Sequence, residues 1–274
     1  MFEYIIDKIN AAPFVESPFK FIYLEDFLSE DHFNIITTDP QINIGSFETT
    51  EALIKALNKN HYKPQAFPGC TTDEKDYIDW YYNRHGNTPS HAKGLIEGFG
   101  MAYRLQKYRT TFLSELMGFL NSEKFLNTIK EKFNVSGDVF VETAVQKYLT
   151  GYEISPHPDI RKKALTYMLN INPAPVNGCG TYFMKFKPEW QHIYDFWKNK
   201  TEMDRCWVPW DWCESVFEQT ANNSITIFAP NNESLHAVKL DYDHCNSQRT
   251  QVYGNLWWTN KPKVQSLTWK HFTQ

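Results

Sequence analysis

Near Gly137 the hydrophobic period of the chain changes, and that switch limits the folds open to it. Before it, apolar residues recur at helical spacing: Phe112, Leu113, Leu116, Phe119 and Leu120, then Phe125, Leu126, Ile129 and Phe133 after Asn121-Ser122. Ser29-Glu30-Asp31 offers a cap and an acidic first turn ahead of Phe33, Ile35 and Ile36, and Thr71-x-x-Glu74 has the capping-box pattern ahead of Tyr77, Ile78, Trp80 and Tyr81. One short strand, Phe19 to Leu24, precedes these helices. After Gly137 the period is two. Val139, Val141, Thr143, Val145 and Lys147 alternate with their neighbours, and strands are predicted over Ala164–Asn172, Thr181–Phe186, Ser224–Ala229, Leu235–Leu240 and Arg249–Trp258. Turn signals separate them, among them Asn172-Pro173, Asn177-Gly178 and Ala229-Pro230-Asn231.

Helices followed by many short strands predict an α+β chain, a β-sandwich or barrel with helices on one face. We expect a single domain over 1–274, with a mostly helical support over 1–134 and a β core over 135–260, because no flexible linker marks residue 135. A two-domain split there is the weaker alternative. The 274 residues are enough to bury a real core, and 42% apolar with 22% charged residues excludes disorder. The balance of 28 basic and 32 acidic residues gives −4, which disfavours nucleic acid as a partner. Five cysteines without C-x-x-C spacing exclude a zinc ribbon and a disulfide framework and suit reduced thiols. With acids in its first residues and no window near the ~18 apolar residues of a span, the chain is expected to be cytoplasmic, without signal peptide or membrane partner.

The stretch with chemical content is Tyr152-Glu153-Ile154-Ser155-Pro156-His157-Pro158-Asp159. In extended backbone His157 and Asp159 project to one face, so an imidazole and a carboxylate can reach one metal ion. Alone, H-x-D reads more readily as a surface turn. His236, at the start of a predicted strand, would complete two histidines and one carboxylate, the set of non-haem Fe(II) oxygenases. Arg249 lies 13 residues further on, on the next predicted strand. A buried guanidinium needs an anion, and its fork matches a carboxylate such as the distal one of 2-oxoglutarate.

The order His157-x-Asp159, His236, Arg249 resembles the prolyl-4-hydroxylase-like branch of the Fe(II)/2-oxoglutarate-dependent oxygenases. Gln146 to Tyr152 is similar to the strand and turn entering that motif, Ala164 to Asn172 to the strand that follows, Gly178-Cys179-Gly180-Thr181 to a Gly-Gly turn, and Arg249 to Trp257 to the closing strand. Pro18 to Leu28 resembles the family's N-terminal entry. The resemblance implies a double-stranded β-helix (jelly-roll) with helices packed on one side. It also implies Fe(II), 2-oxoglutarate, O2 and ascorbate as cofactors, and hydroxylation of a C–H bond, of a prolyl residue in a peptide or protein or of a free amino acid or other small metabolite. His157, Asp159 and His236 would be the catalytic metal ligands and Arg249 the cosubstrate anchor. Asn170 stands where many relatives have a tyrosine, so it, Tyr148 and Thr166 are the further expected cosubstrate contacts. The retained Asp159 favours hydroxylation over halogenation, and Asn255 replaces the second arginine of the nucleic-acid demethylases. A zinc hydrolase using the same three ligands, or a non-catalytic jelly-roll binding module, are the alternatives. Two further expectations concern segments beside the motif. Arg161-Lys162-Lys163 reads as a solvated basic turn. Residues 187–220, with Trp190, Trp197, Trp207, Trp210 and Trp212, read as an insertion between core strands, either a lid or packing over the sandwich edge.

Overall fold

The structure, a computed structural model, describes residues 1–67, 70–83, 99–197 and 207–260. Its N-terminal half supplies α1 (Glu3–Ala11), β1 (Phe21–Leu24), α2 (Glu30–Thr38), α3 (Thr50–Lys59), β2 (Tyr62–Pro64), α4 (Glu74–Asn83), β3 (Ala102–Leu105), α5 (Thr111–Leu120) and α6 (Glu123–Lys132). Caps start several of these helices. The Ser29 hydroxyl accepts the His32 N–H at 3.3 Å and the Ser122 hydroxyl the Phe125 N–H at 3.3 Å. At α4 the capping residue is Asp73, which accepts from Lys75 and Asp76 N–H, and not Thr71, whose hydroxyl accepts from Asp73 N–H. Asp73 stands immediately before the first helical residue, two positions nearer the orphan donors than Thr71, and its carboxylate takes them.

Eight strands follow: β4 (Val139–Tyr148), β5 (Glu153–His157), β6 (Lys163–Asn170), β7 (Thr181–Phe186), β8 (Cys213–Gln219), β9 (Ile225–Phe228), β10 (His236–Lys239) and β11 (Arg249–Trp258). They form a seven-stranded sheet in the order β1-β9-β6-β11-β4-β3-β2 and a four-stranded sheet in the order β5-β10-β7-β8. The strand ladders are antiparallel. Each sheet takes four of the last eight strands, and the chain crosses between sheets except at β7–β8. This is the jelly-roll, or double-stranded β-helix, in an α+β chain.

One face of the large sheet carries Val145, Leu165, Tyr167, Leu169, Val252 and Leu256 into a core shared with the helices. Period two requires their neighbours to face the other sheet, and Arg249, Gln251, Tyr253, Asn255 and Trp257 do so along β11. Position 254, on the helix side between Val252 and Leu256, is glycine because a Cβ there would come within 2.0 Å of the Tyr167 ring. Between the sheets Phe19, Phe21, Met168, Phe183 and Phe228 pack together.

The segment 187–220 differs from the expectation. It ends in a core strand, β8, paired along its length with β7. Cys213 and Gln219 at its ends are buried and Phe217 packs against Phe21 and Phe183 between the sheets, but Glu214, Ser215, Val216 and Glu218 are exposed, so its pattern lacks the clean alternation that marks the other strands. Before it, α7 (Gln191–Trp197) and two short 3-10 turns put Trp190, Trp210 and Trp212 on the outer side of the four-stranded sheet, against Met184, Phe186 and Ala237. The Trp190 and Trp212 rings stack at 4.6 Å. Three of the five tryptophans are therefore packing, Trp207 lines the cavity described next, and the Trp197 side chain lies outside the described residues. No helix among the described residues is long and apolar enough to cross a membrane.

Candidate metal centre and cosubstrate cavity

Two distant histidines meet because β5 and β10 pair. His236 is the register partner of His157, and their ring centroids are 4.4 Å apart. β5 is an edge strand, which is what permits Pro156 and Pro158 to flank His157 without losing ladder donors. The free Pro156 carbonyl accepts the Val208 N–H at 2.8 Å, which draws Trp207 to the cavity. Asp159 follows two residues after His157, and its Oδ2 lies 3.9 Å from His236 Nε2. One ligand atom from each of the three residues falls within 4.8 Å of the others, a spacing that could hold a metal ion.

The second nitrogen of each imidazole fixes the first. His157 Nδ1 is 2.8 Å from the Ser155 carbonyl and His236 Nδ1 is 2.9 Å from the Ser234 carbonyl. A carbonyl only accepts, so Nδ1 carries the proton and Nε2 keeps its lone pair. Burial and the neighbouring His236 push His157 down to about 3, and burial lowers His236 as well, so both rings are neutral. Burial alone would raise Asp159, but the Lys163 ammonium, by its charge and its hydrogen bond, holds the carboxyl well below the usual carboxylate range.

Asp159 is held at both oxygens. Oδ1 accepts from Lys163 Nζ at 2.6 Å and Oδ2 from the Thr166 hydroxyl at 2.7 Å. Lys163 Nζ also donates to the Tyr253 hydroxyl at 2.7 Å. Lys163 is buried, which corrects the solvated-turn expectation for it: the carboxylate at hand replaces the water it gives up.

A cavity of about 310 Å³ opens onto the three residues, walled by both sheets. Arg249, 2% exposed, stands in it opposite its register partner Tyr148, whose ring lies 5.0 Å under the guanidinium. Its Nη2 donates to the Thr181 hydroxyl at 2.9 Å, and its Nε has no hydrogen-bond partner. Among the described residues no carboxylate pairs with it. Oriented so that both its ends are satisfied, the Gln146 amide donates to the Tyr148 hydroxyl and accepts from Arg104 Nε at 3.2 Å and Nη2 at 3.1 Å. Burial raises Tyr148, so its hydroxyl stays protonated, with its own hydrogen free for a ligand.

His157, Asp159, His236, Arg249 and Tyr148 thus line one cavity. Thr166 and Asn170 do not. Thr166 serves Asp159, and Asn170 spends its amide on the Ala221 carbonyl at 3.0 Å and on Gln251 Nε2 at 2.7 Å. Lys163, Tyr253 and Thr181 are the site residues the sequence reading passed over. The alternation along β11 from Arg249 reaches Tyr253, whereas Lys163 was masked by its basic neighbours and Thr181 by the turn preceding it.

No family model matches the chain, and no curated protein matches it. Among solved structures the chain is similar to a Pseudomonas putida prolyl-4-hydroxylase, at 11% identity over 95% of this chain and 100% of that one, with a TM-score of 0.47. It is also similar to a Trichoplax adhaerens prolyl hydroxylase in complex with a hypoxia inducible factor oxygen degradation domain peptide fragment, at 9% identity over 93% and 88%, with a TM-score of 0.44. A third similar structure is a Burkholderia pseudomallei oxidoreductase of the 2OG-Fe(II) oxygenase family, at 10% identity over 85% and 94%, with a TM-score of 0.38.

Proposed function

We propose that the protein is an Fe(II)- and 2-oxoglutarate-dependent dioxygenase that hydroxylates a C–H bond. The observation that carries this reading is a cavity with two neutral imidazoles and one ionised carboxylate converging in it, together with a buried, carboxylate-free arginine. Two nitrogen donors, one oxygen donor and no thiolate suit Fe(II) with positions left open for ligands. The orphaned Arg249 Nε suits an anionic group, and a diacid that reaches from the metal to Arg249 supplies it.

His157, Asp159 and His236 would hold the iron, which when bound supplies O2 activation coupled to decarboxylation of 2-oxoglutarate. Arg249 and the Tyr148 hydroxyl would receive the distal carboxylate of the cosubstrate, with Thr181 fixing the guanidinium. Ser155 and Ser234 carbonyls hold the Nδ1 protons, so neither ring must lose a proton before binding metal. Lys163 and Thr166 keep the Asp159 carboxylate in place. A zinc hydrolase would use the same triad and leave Arg249 without a task. A binding module would leave three donor atoms gathered for nothing.

Anaerobic Fe(II) with 2-oxoglutarate should give a visible metal-to-ligand charge-transfer band in wild type and none in Asp159→Ala. Arg249→Met should raise the 2-oxoglutarate concentration for half-saturation at least ~10-fold, the loss of a charge-assisted bidentate contact. A wild-type protein that forms no band and yields no succinate with peptides containing proline, or with amino acids, refutes the reading. Hydrolysis that proceeds without O2 would establish the zinc alternative.

A further inference from the structure

The same cavity carries a second charged feature that neither the triad nor Arg249 uses. Arg104 on β3 forms an ion pair with Glu142 on β4, and both line the cavity. The alternation along β4 puts Glu142, Ala144, Gln146 and Tyr148 on its inner face, and Arg104 is the register partner of Gln146. Gln146 therefore links the two ends of the cavity, accepting from Arg104 and donating to Tyr148. Six residues of extended strand, about 20 Å, separate the backbone of Glu142 from that of Tyr148 beside Arg249.

With no ligand each charge neutralises the other. A ligand bearing one charge that displaces either partner leaves the other without its counter-charge in a site where Arg104 is 17% exposed. A ligand bearing a carboxylate and an ammonium close together replaces both at once. The cavity volume of about 310 Å³ lies at the low end of the ~300–1,000 Å³ of small-molecule sites, and the cosubstrate must share it. Met168, packed with the Phe183 and Phe228 rings that meet His236, gives the triad an apolar flank, while Ile154 and Val238 line the Arg249 end beside Thr181. Two further donors with no hydrogen-bond partner, the indole N–H groups of Trp207 and Trp257, belong to residues that line the same cavity from its two sides.

We infer that the substrate is a free α-amino acid with an aliphatic side chain, its carboxylate on Arg104, its ammonium on Glu142 and its side chain toward the metal triad. This deepens the oxygenase reading and rests on it for the reaction: substrate C–H, O2 and 2-oxoglutarate become substrate C–OH, succinate and CO2, one oxygen atom going to each of the alcohol and the succinate. An internal peptide residue has neither charge and would leave the ion pair intact.

The test is equilibrium binding by calorimetry, first to the metal-free protein in EDTA and then with anaerobic Fe(II) and 2-oxoglutarate. The probes are L-valine, L-leucine, L-isoleucine, L-methionine and L-proline, their N-acetyl and carboxamide derivatives, and N-acetyl-prolinamide. At least one free amino acid should bind, and each blocked derivative should bind at least tenfold more weakly. Glu142→Gln, at a half-exposed side chain, should weaken the free amino acid at least tenfold, and Arg104→Met likewise. Blocked and free forms that bind equally, tighter binding of N-acetyl-prolinamide, or no binding of any free amino acid with the charge-transfer band present, overturn the inference and leave the oxygenase reading standing. Free amino acids that bind in EDTA to a protein that never forms the band overturn the oxygenase reading and leave the zwitterion site.

Discussion

The two faces of the seven-stranded sheet each bury a lysine, and they hold it in opposite ways. On the cavity face Lys163 meets the Asp159 carboxylate, which keeps the ammonium above its ordinary range although burial works against it. On the helix face Lys147 is fully buried and donates to the Ile42 carbonyl and the Thr250 hydroxyl, each at 2.7 Å. With no carboxylate there, burial pushes it down to about 7. Both hydrogen-bond, yet only one keeps its charge firmly. Neutral oxygens satisfy N–H geometry without compensating the desolvation of a cation, whereas an anion does both. The face that gathers the metal-ligand candidates is thus the one where a buried charge is compensated by another.

The largest effect that would break this contrast is expected from Asp159→Asn in metal-free protein. Removing one member of a buried pair leaves Lys163 uncompensated and should lower unfolding free energy by about 3–5 kcal/mol in denaturant titration. Adding Lys163→Met should recover most of it, because the double variant strands no charge. A single variant as stable as wild type would mean that the ion pair does not hold Lys163 in place.

A smaller effect sharpens the contrast on the same side. Thr166→Val keeps the shape and removes the neutral donor on Asp159 Oδ2, with no change in charge. Metal affinity, followed by Co(II) titration, should fall about 10–100-fold while thermal stability changes little, as for other groups that orient a ligand. An unchanged Co(II) affinity would show that Lys163 alone positions the carboxylate.

How much of this the sequence exposes follows from the same physics. Period two along β4, β6 and β11 places Val145, Leu169 and Val252 on the helix side and Tyr148, Gln251 and Tyr253 on the cavity side, because a strand must present alternate residues to different surroundings. His157-x-Asp159 is visible for the same reason. The partners that tune the site are harder to see. Lys163 sits in a run of three cations, and its burial depends on Asp159 and on Tyr253, 90 residues away. Asp73 displaces Thr71 at the α4 cap through a competition for the same N–H groups that a pattern does not rank. β8 is hidden because only Cys213 and Gln219 of its seven residues are buried, so its sheet position comes from pairing with β7 and not from its own alternation. Lys147 falls in a clean strand pattern at a core position, where composition alone suggests an apolar residue.

That helix-side lysine gives the smallest expected effect and the one with a definite sign in pH. Its pKa is about 7 in the fold, against roughly 10.4 for an unfolded lysine. Between those values the unfolded chain binds more protons than the native one, so stability rises with pH. The contribution is fully present above the unfolded value and is lost as pH falls through about 7, where the native state must carry the buried ammonium. Unfolding free energy from denaturant titration should therefore climb more steeply between pH 7.5 and 9.5 in wild type than in Lys147→Met, by at most about 1.4 kcal/mol per pH unit. The comparison is with the variant at each pH, so other groups cancel and the loss of two hydrogen bonds enters only as a constant offset. Parallel curves would mean that the helix face compensates its lysine as well as the cavity face does, and the distinction between the two faces would fall.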